Sequence, residues 1–274
     1  MFLTTPVATS LALDFEPLHR ELSNWREAGL HCRFWWRDDD LIADSPNFRQ
    51  LCALAIQTGV QVMCSVIPAQ LDVAFAATLR SDELMIFVQH GYAHVNHEQT
   101  SNPKSEFGPV RPLAQRLSDL RAGREKLEEL LGENFVKVLV PPWNRLHDDM
   151  LTHLGSMGYV GLSQHGARGP SQIAPGVALV NTHVDILNWN APGIERVRPA
   201  AHIASELARL LERKRLDRRD LHEPIGILSH HRVMDPNSWT VLAYMLESCQ
   251  KLWCRPRELF VEELALKAAA LTIS

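Results

Sequence analysis

The sequence predicts an α/β fold, a distorted barrel of seven β/α units in a single domain. Short apolar runs alternate with longer amphipathic segments along most of the chain. Gly and Pro punctuate the joins. Ionisable residues cluster just after the apolar runs rather than being spread evenly. Strands that alternate with helices imply βα units and a parallel sheet. Short, almost wholly apolar strands suit a sheet covered on both faces. Seven such units exceed what a small open sheet needs, which favours a closed or nearly closed ring.

The first strand is expected at Leu30–Trp36, ending at Arg37-Asp38-Asp39-Asp40. Asn47–Thr58 has helical periodicity, and Gly59 stands where a C-cap belongs. Val60–Ile67 is the second strand, stopped by Pro68, and Leu71–Leu79 a short helix. Leu84–Val88 is the third strand, running into His90-Gly91. His94–Pro112 is polar, contains Pro103 and Pro109, and is expected to be a loop over a site. Arg111–Leu131 is the clearest helix, closed by Gly132. Phe135–Val140 is the fourth strand, halted by Pro141-Pro142, and Asp148–Met157 the helix after it. Tyr159–Ser163 and Leu179–Asp185 are the fifth and sixth strands, and Ala200–Leu216 a helix. Ile225–Ser229 is the seventh strand, ending at His230-His231, and helices over Ser238–Lys251 and Glu258–Leu271 complete the chain.

The 274 residues carry 46% hydrophobic and 22% charged side chains, a globular balance large enough to bury a core without staples. A formal net charge of −4 gives no basic face for nucleic acid and no sign of a membrane-surface partner. Arg213, Lys214, Arg215, Arg218 and Arg219 are interleaved with Asp217 and Asp220, as on a solvated helix end. The five cysteines are odd in number and include no CxxC, which predicts reduced thiols and a cytoplasmic chain. The N-terminus lacks the basic start of a secretory signal, and no apolar run reaches the roughly 18 residues of a membrane span.

The site is predicted from where the ionisable residues fall. Asp38 and Asp39 follow strand one, His90 and His94 strand three, Asp185 strand six and His230 strand seven. In a parallel barrel the C-terminal ends of all strands open on one face, where active sites are built. One carboxylate and two neutral imidazoles make a three-ligand site for Zn²⁺ or a similar ion, with a position open for water. Such an ion lowers the pKa of bound water to roughly 7. The neighbouring carboxylate is then free to take the proton, and a distant His to serve as acid for the leaving group. His90-x3-His94 is not the metalloprotease H-E-x-x-H, since Gly91 follows His90. His97 and His231 stand near enough in sequence to join the site, while His165 and His183 are expected to be structural.

These motifs resemble, in order, those of the polysaccharide deacetylases of the NodB homology type, the carbohydrate esterase family 4 fold. The resemblance covers about residues 30–235. Trp36-Arg37-Asp38-Asp39-Asp40 is similar to the family's paired aspartates, which implies Asp38 as base and Asp39 as metal ligand. Gln89-His90-Gly91-Tyr92-Ala93-His94 resembles its two histidines, implying His90 and His94 as the other ligands. Val140-Pro141-Pro142-Trp143-Asn144 resembles its third motif, which implies that Trp143 offers a backbone N–H to the oxyanion. Asp185-Ile186-Leu187-Asn188-Trp189 resembles the fourth, bringing Asp185 and Trp189 to the substrate. Leu228-Ser229-His230 resembles the fifth, with His230 as general acid. The implied cofactor is one divalent ion, Zn²⁺ first, with Co²⁺, Mn²⁺ or Ni²⁺ as alternatives. The implied reaction is removal of an N- or O-acetyl group from a carbohydrate or acetylated amino sugar.

Three departures mark a divergent branch. Val140 stands where the family has an Arg that orients the base, Asp40 where it has Gly, and Asn144 where the third motif has Gly. Arg37 and Arg145 are the candidates to replace the missing Arg. Two further functions stay open at this point: hydrolysis of a small, non-polymeric amide on the same barrel, and a non-catalytic carbohydrate-binding relic of the fold. Trp35, Trp36, Trp143 and Trp189 suit either an aromatic sugar groove or core packing.

Overall fold

A computed structural model of the chain describes residues 5–80, 83–167, 176–191, 196–218 and 221–271. Two helices open the chain, α1 (Thr5–Asp14) and α2 (Glu16–Glu27). The β/α series follows as β1 (Phe34–Leu41), α3 (Pro46–Thr58), β2 (Val62–Val66), α4 (Val73–Thr78) and β3 (Met85–His90). It continues through α5 (Leu113–Leu131), β4 (Phe135–Val140), α6 (Asp148–Leu151), β5 (Gly161–Leu162), β6 (Ala178–Leu179) and β7 (Thr182–Asp185). It closes with α7 (Ala200–Asp217), β8 (Ile225–Ser229), α8 (Pro236–Ser248) and α9 (Pro256–Leu271). Residues 94–112 contribute no helix or strand. No helix among the described residues is long and apolar enough to cross a membrane.

The sheet runs β6-β5-β4-β3-β2-β1-β8-β7, and every neighbouring pair is parallel. The predicted sixth strand is present as two pieces, β6 and β7, because it changes partners partway along. Ala178 and Leu179 pair with β5. Val180 still donates to the Leu162 carbonyl at 3.1 Å, and Thr182 to that of Gln164 at 2.9 Å. At Thr182 the other edge engages Gly226 of β8, and Val184 and Asp185 follow on Ile227 and Leu228. A bridge between His165 and Thr182 completes the circuit. The curled sheet is thereby joined into a seven-membered ring, an α/β distorted barrel.

Residues on β1 alternate between the two faces, as a strand requires. Trp35 packs inside the ring with Met63, Val88, Val138, Val180 and Phe260, whereas Trp36 joins the larger core outside it, beneath the helices. Phe260 of α9 is buried against Gly161, where an added Cβ would lie 2.4 Å from the ring. The C-terminal helix therefore stoppers the end of the barrel away from the strands' C-termini.

Three expectations are corrected. The first strand does not end at Trp36; it extends through the whole charged run to Leu41. Asp is a poor strand former, but Arg37 pairs with Asp39 inside the ring and Asp38 finds hydrogen-bond donors outside it, so the charges are satisfied without leaving the sheet. The first 27 residues, for which no element was predicted, supply two helices, of which α2 lies on α7. Trp25 Nε1 donates to the Leu211 carbonyl at 3.1 Å there. The basic stretch is also less solvated than predicted: Arg215 pairs with Glu21 of α2 at 2.7 Å and Lys214 with Glu223 at 2.8 Å. Arg219 and Asp220 of that stretch lie outside the described residues.

Candidate active site

Asp39, Asp40, His90, His94, Trp143, Asp185, Trp189 and His230 line one cleft of about 280 Å³ at the C-terminal mouth of the barrel. Asp38 is absent from it. The structure therefore shifts the predicted frame by one residue along β1. Between Asp38 and Leu41 the strand advances three residues while β2 advances two, from Cys64 to Val66. This is a β-bulge, and it breaks the alternation so that consecutive residues turn toward the same side. Asp40 sits at the bulge with φ +77°, a left-handed conformation that Asp tolerates better than most residues.

The carboxylate grouped with the two histidines is that of Asp40, not Asp39. Its Oδ1 lies 3.2 Å from His90 Nε2 and 3.5 Å from His94 Nε2. One ligand atom from each of these three residues falls within 4.8 Å of the others. His90 Nδ1 faces the Val140 carbonyl at 3.0 Å, which fixes the ring and leaves Nε2 toward Asp40. The donor set, one carboxylate and two imidazoles at a strand-end cleft, fits a Zn²⁺-type ion. The electrostatics agree. Burial works against a charged His90, yet the close approach of Asp40 and the negative charges of Asp39 and Asp40 raise its pKa overall. Burial likewise opposes ionised Asp40, but the close approach and charge of His90, with His230 and His94, hold it well below the usual carboxylate range. His94 is lowered, by burial first and then by the charge of His90. The negative charges of Asp39 and Asp40 that raise His90 would also face a cation placed there.

Asp39 lies beside this group, held by Arg37, a fully buried guanidinium. Arg37 Nε is 3.0 Å from Asp39 Oδ1, and Nη2 donates to Oδ2 at 3.0 Å. Nη1 donates to Ser163 Oγ at 2.8 Å, anchoring the guanidinium to the segment after β5. Burial would raise the Asp39 pKa, but the positive charges of Arg37, His90 and His230, with the Ser65 hydroxyl nearby, bring it below the usual range. Arg37, two residues before Asp39 on one strand, is thus the one of the two candidate arginines that orients a carboxylate of the cleft. Arg145 does not; it donates to the Lys104 carbonyl at 2.9 Å.

Asp38 faces the other way. Its Oδ2 accepts from Ser229 Oγ at 2.6 Å and from the His231 amide at 2.9 Å, and its Oδ1 meets His231 Nδ1. These bonds tie β1 to the end of β8, and His231 is committed to them. His97, also weighed in the sequence, is not among the residues that line the cleft. His165 lies against Thr182 and His183 accepts from the Gly226 amide, both in the barrel wall.

The far wall of the cleft is a relay of contacts. Asp185 accepts from Trp189 Nε1 at 2.8 Å and from the Leu187 amide at 2.9 Å. The Trp189 ring, 47% exposed, stands edge-on to His230 with centroids 4.6 Å apart. His230 Nδ1 is buried and has no hydrogen-bond partner among the described residues. Opposite, Trp143 adopts φ +54° and packs on His94, with centroids 4.4 Å apart. Asp40, His94, Trp143 and Asn144 all have positive φ and all line this cleft. Such conformations persist only where the surroundings enforce them, and they gather at functional sites.

Two residues that shape the site were not singled out. Glu106, in the 94–112 segment, is buried and accepts from the amides of Tyr92 at 3.0 Å and Ala93 at 2.7 Å. Burial raises its pKa, partly offset by those amides. Nothing in a polar loop sequence marks it. Gln89 accepts from the Tyr159 hydroxyl at 2.6 Å and donates to the carbonyls of Gly91 and Leu120, bracing the end of β3. Gly91 has φ +59°, and a Cβ there would lie 2.0 Å from Glu106 Oε2 and 2.5 Å from Pro142 Cγ. Gly91→Ala is expected to lower stability by about 1–3 kcal/mol, read from urea unfolding.

No protein-family model and no curated protein sequence matches the chain. Solved structures do. A Mycobacterium smegmatis protein provisionally named a polysaccharide deacetylase superposes with a TM-score of 0.58 at 17% identity, covering 87% of this chain and 92% of that one. A Streptococcus mutans CE4 esterase gives 0.54 at 14% identity, covering 80% and 82%. A peptidoglycan N-acetylglucosamine deacetylase gives 0.52 at 11% identity, covering 82% and 86%. With the ring of parallel strands, these show that the chain has the fold of the polysaccharide deacetylases of carbohydrate esterase family 4.

Proposed function

We propose that the protein is a metal-dependent hydrolase that removes an acetyl group from a carbohydrate or acetylated amino sugar. The observation that carries this is the grouping of Asp40, His90 and His94 in one cleft with an oriented second carboxylate, Asp39, and with His230 on the opposite wall. Asp40, His90 and His94 would hold the ion, Zn²⁺ first. When bound, such an ion supplies Lewis acidity and brings a bound water toward a pKa of roughly 7.

The chain's own residues do the rest. Asp39, ionised and locked by Arg37, accepts the proton of the attacking water at a carboxylate oxygen. The Trp143 N–H has no protein acceptor among the described residues and serves the oxyanion. His230, steadied by Trp189 and through it by Asp185, gives a proton to the departing nitrogen or oxygen. The exposed Trp189 offers an apolar face to a sugar ring. Water adds to the acetyl carbon, the carbon–nitrogen or carbon–oxygen bond breaks, and acetate leaves.

Zn²⁺-loaded protein incubated with chitin oligosaccharides and acetylated xylan is expected to release acetate, and chelated protein to release none. Release from neither substrate at any metal loading would overturn the proposal. Arg37→Ala is expected to cut kcat about 10²-fold or more while metal content stays at the wild-type level, because Asp39 loses its orientation. An unchanged kcat in this variant would remove Arg37 from the scheme.

A further inference from the structure

We infer that Glu106 is a positioning residue for the metal site, fixing the turn between His90 and His94 so that both imidazoles meet Asp40. The inference rests on Asp40, His90 and His94 being the metal ligands. The two histidines are joined by Gly91, Tyr92 and Ala93, and this turn sets where the backbone of the second stands against that of the first. Glu106 spends one oxygen on the Tyr92 amide and the other on the Ala93 amide. Both Gly91 and His94, which bracket those amides, are in left-handed conformations. A turn with positive φ at a histidine needs an external hold, and the carboxylate supplies it from a segment stitched down independently. His97 donates to the Ser105 carbonyl at 3.0 Å, and Phe107 bridges to Leu146 beyond β4.

Charge supports the assignment. Glu106 is 1% exposed, yet no Lys or Arg among the described residues forms an ion pair with it. Arg37 is committed to Asp39, so Asp40 too has only histidines beside it. Buried carboxylates are ordinarily paired with a cation. A divalent ion between Asp40, His90 and His94 would be the counter-charge for Asp40.

The test uses full-length protein stripped by a chelator and titrated with Co²⁺ alone, followed by its visible absorption. Glu106→Gln is expected to weaken Co²⁺ binding about 10–100-fold and to shift the cobalt band. The metal-free form is expected to lose some stability too, because one of the two amides then faces an NH2 group in place of an acceptor. Glu106→Asp, which keeps the charge but withdraws the oxygens, is expected to fall between the two in affinity and covers the case in which Glu106→Gln fails to fold. Asp40→Asn serves as the control on the underlying reading. If Asp40→Asn binds Co²⁺ like wild type, the ligand assignment itself fails. If Asp40→Asn loses Co²⁺ while both Glu106 variants bind it within twofold of wild type, Glu106 has no positioning role. A lower melting temperature of the metal-free variants with unchanged Co²⁺ affinity would likewise overturn the inference.

Discussion

Asp40→Asn is expected to abolish stoichiometric metal binding and to lower acetate release by about 10³-fold or more, since the ion contributes several kcal/mol of transition-state stabilisation. Asp39→Asn is expected to behave differently: metal content near one per chain, with kcat down about 10²–10⁴-fold, the range for a lost general base. The contrast follows from the bulge in β1. It delivers Asp40 to His90 and His94 while leaving Asp39 on the Arg37 guanidinium. Metal analysis of both purified variants, alongside kcat, reads the difference. Full metal content in Asp40→Asn with an empty Asp39→Asn would restore the frame that the motif alone suggests.

The second large effect is on folding. Asp38→Ala is expected to destabilise the protein by about 3–5 kcal/mol, the cost of removing one member of a buried, hydrogen-bonded polar cluster. Asp38 is fully buried and satisfies Ser229 Oγ, the His231 amide and His231 Nδ1 at once. Its loss strands all three groups in the layer between sheet and helices. Urea unfolding monitored by tryptophan fluorescence should show a lower midpoint with little change in slope. Folded Asp38→Ala at low temperature is expected to retain metal, because no atom of Asp38 lines the cleft. A variant of wild-type stability that had lost only turnover would instead mark Asp38 as the base.

The ring and its mouth were legible in the sequence because they depend on local patterns. Apolar runs of strand length, stopped by Pro68, by Pro141 or by Gly91, located the strand ends, and the parallel topology then set His90, His94, Trp143, Asp185, Trp189 and His230 around one opening. The assignment within Asp38-Asp39-Asp40 was not legible. Which carboxylate faces in depends on a one-residue bulge and on partners far along the chain. Ser163 holds Arg37 from 126 residues away, and Ser229 and His231 hold Asp38 from 191 and 193. A charged tripeptide therefore looked like the end of a strand when it was part of the strand itself. Glu106 was hidden for a related reason: a carboxylate in a Pro- and Ser-containing loop has no sequence mark that separates it from a solvated one.

The partner exchange along the sixth strand has a mechanical consequence. Ala178 and Leu179 grip only two residues of β5 before the chain hands over at Thr182, and β5 in turn grips only two residues of β4, whereas β1 and β8 share five consecutive ladder positions. A hoop yields at its thinnest rivets. Bulky cargo pressing into the opening would be accommodated by spreading there, opposite the tightly laced β1–β2 and β1–β8 edges that carry the carboxylates, so the wall that must stay true to a fraction of an ångström is spared the load.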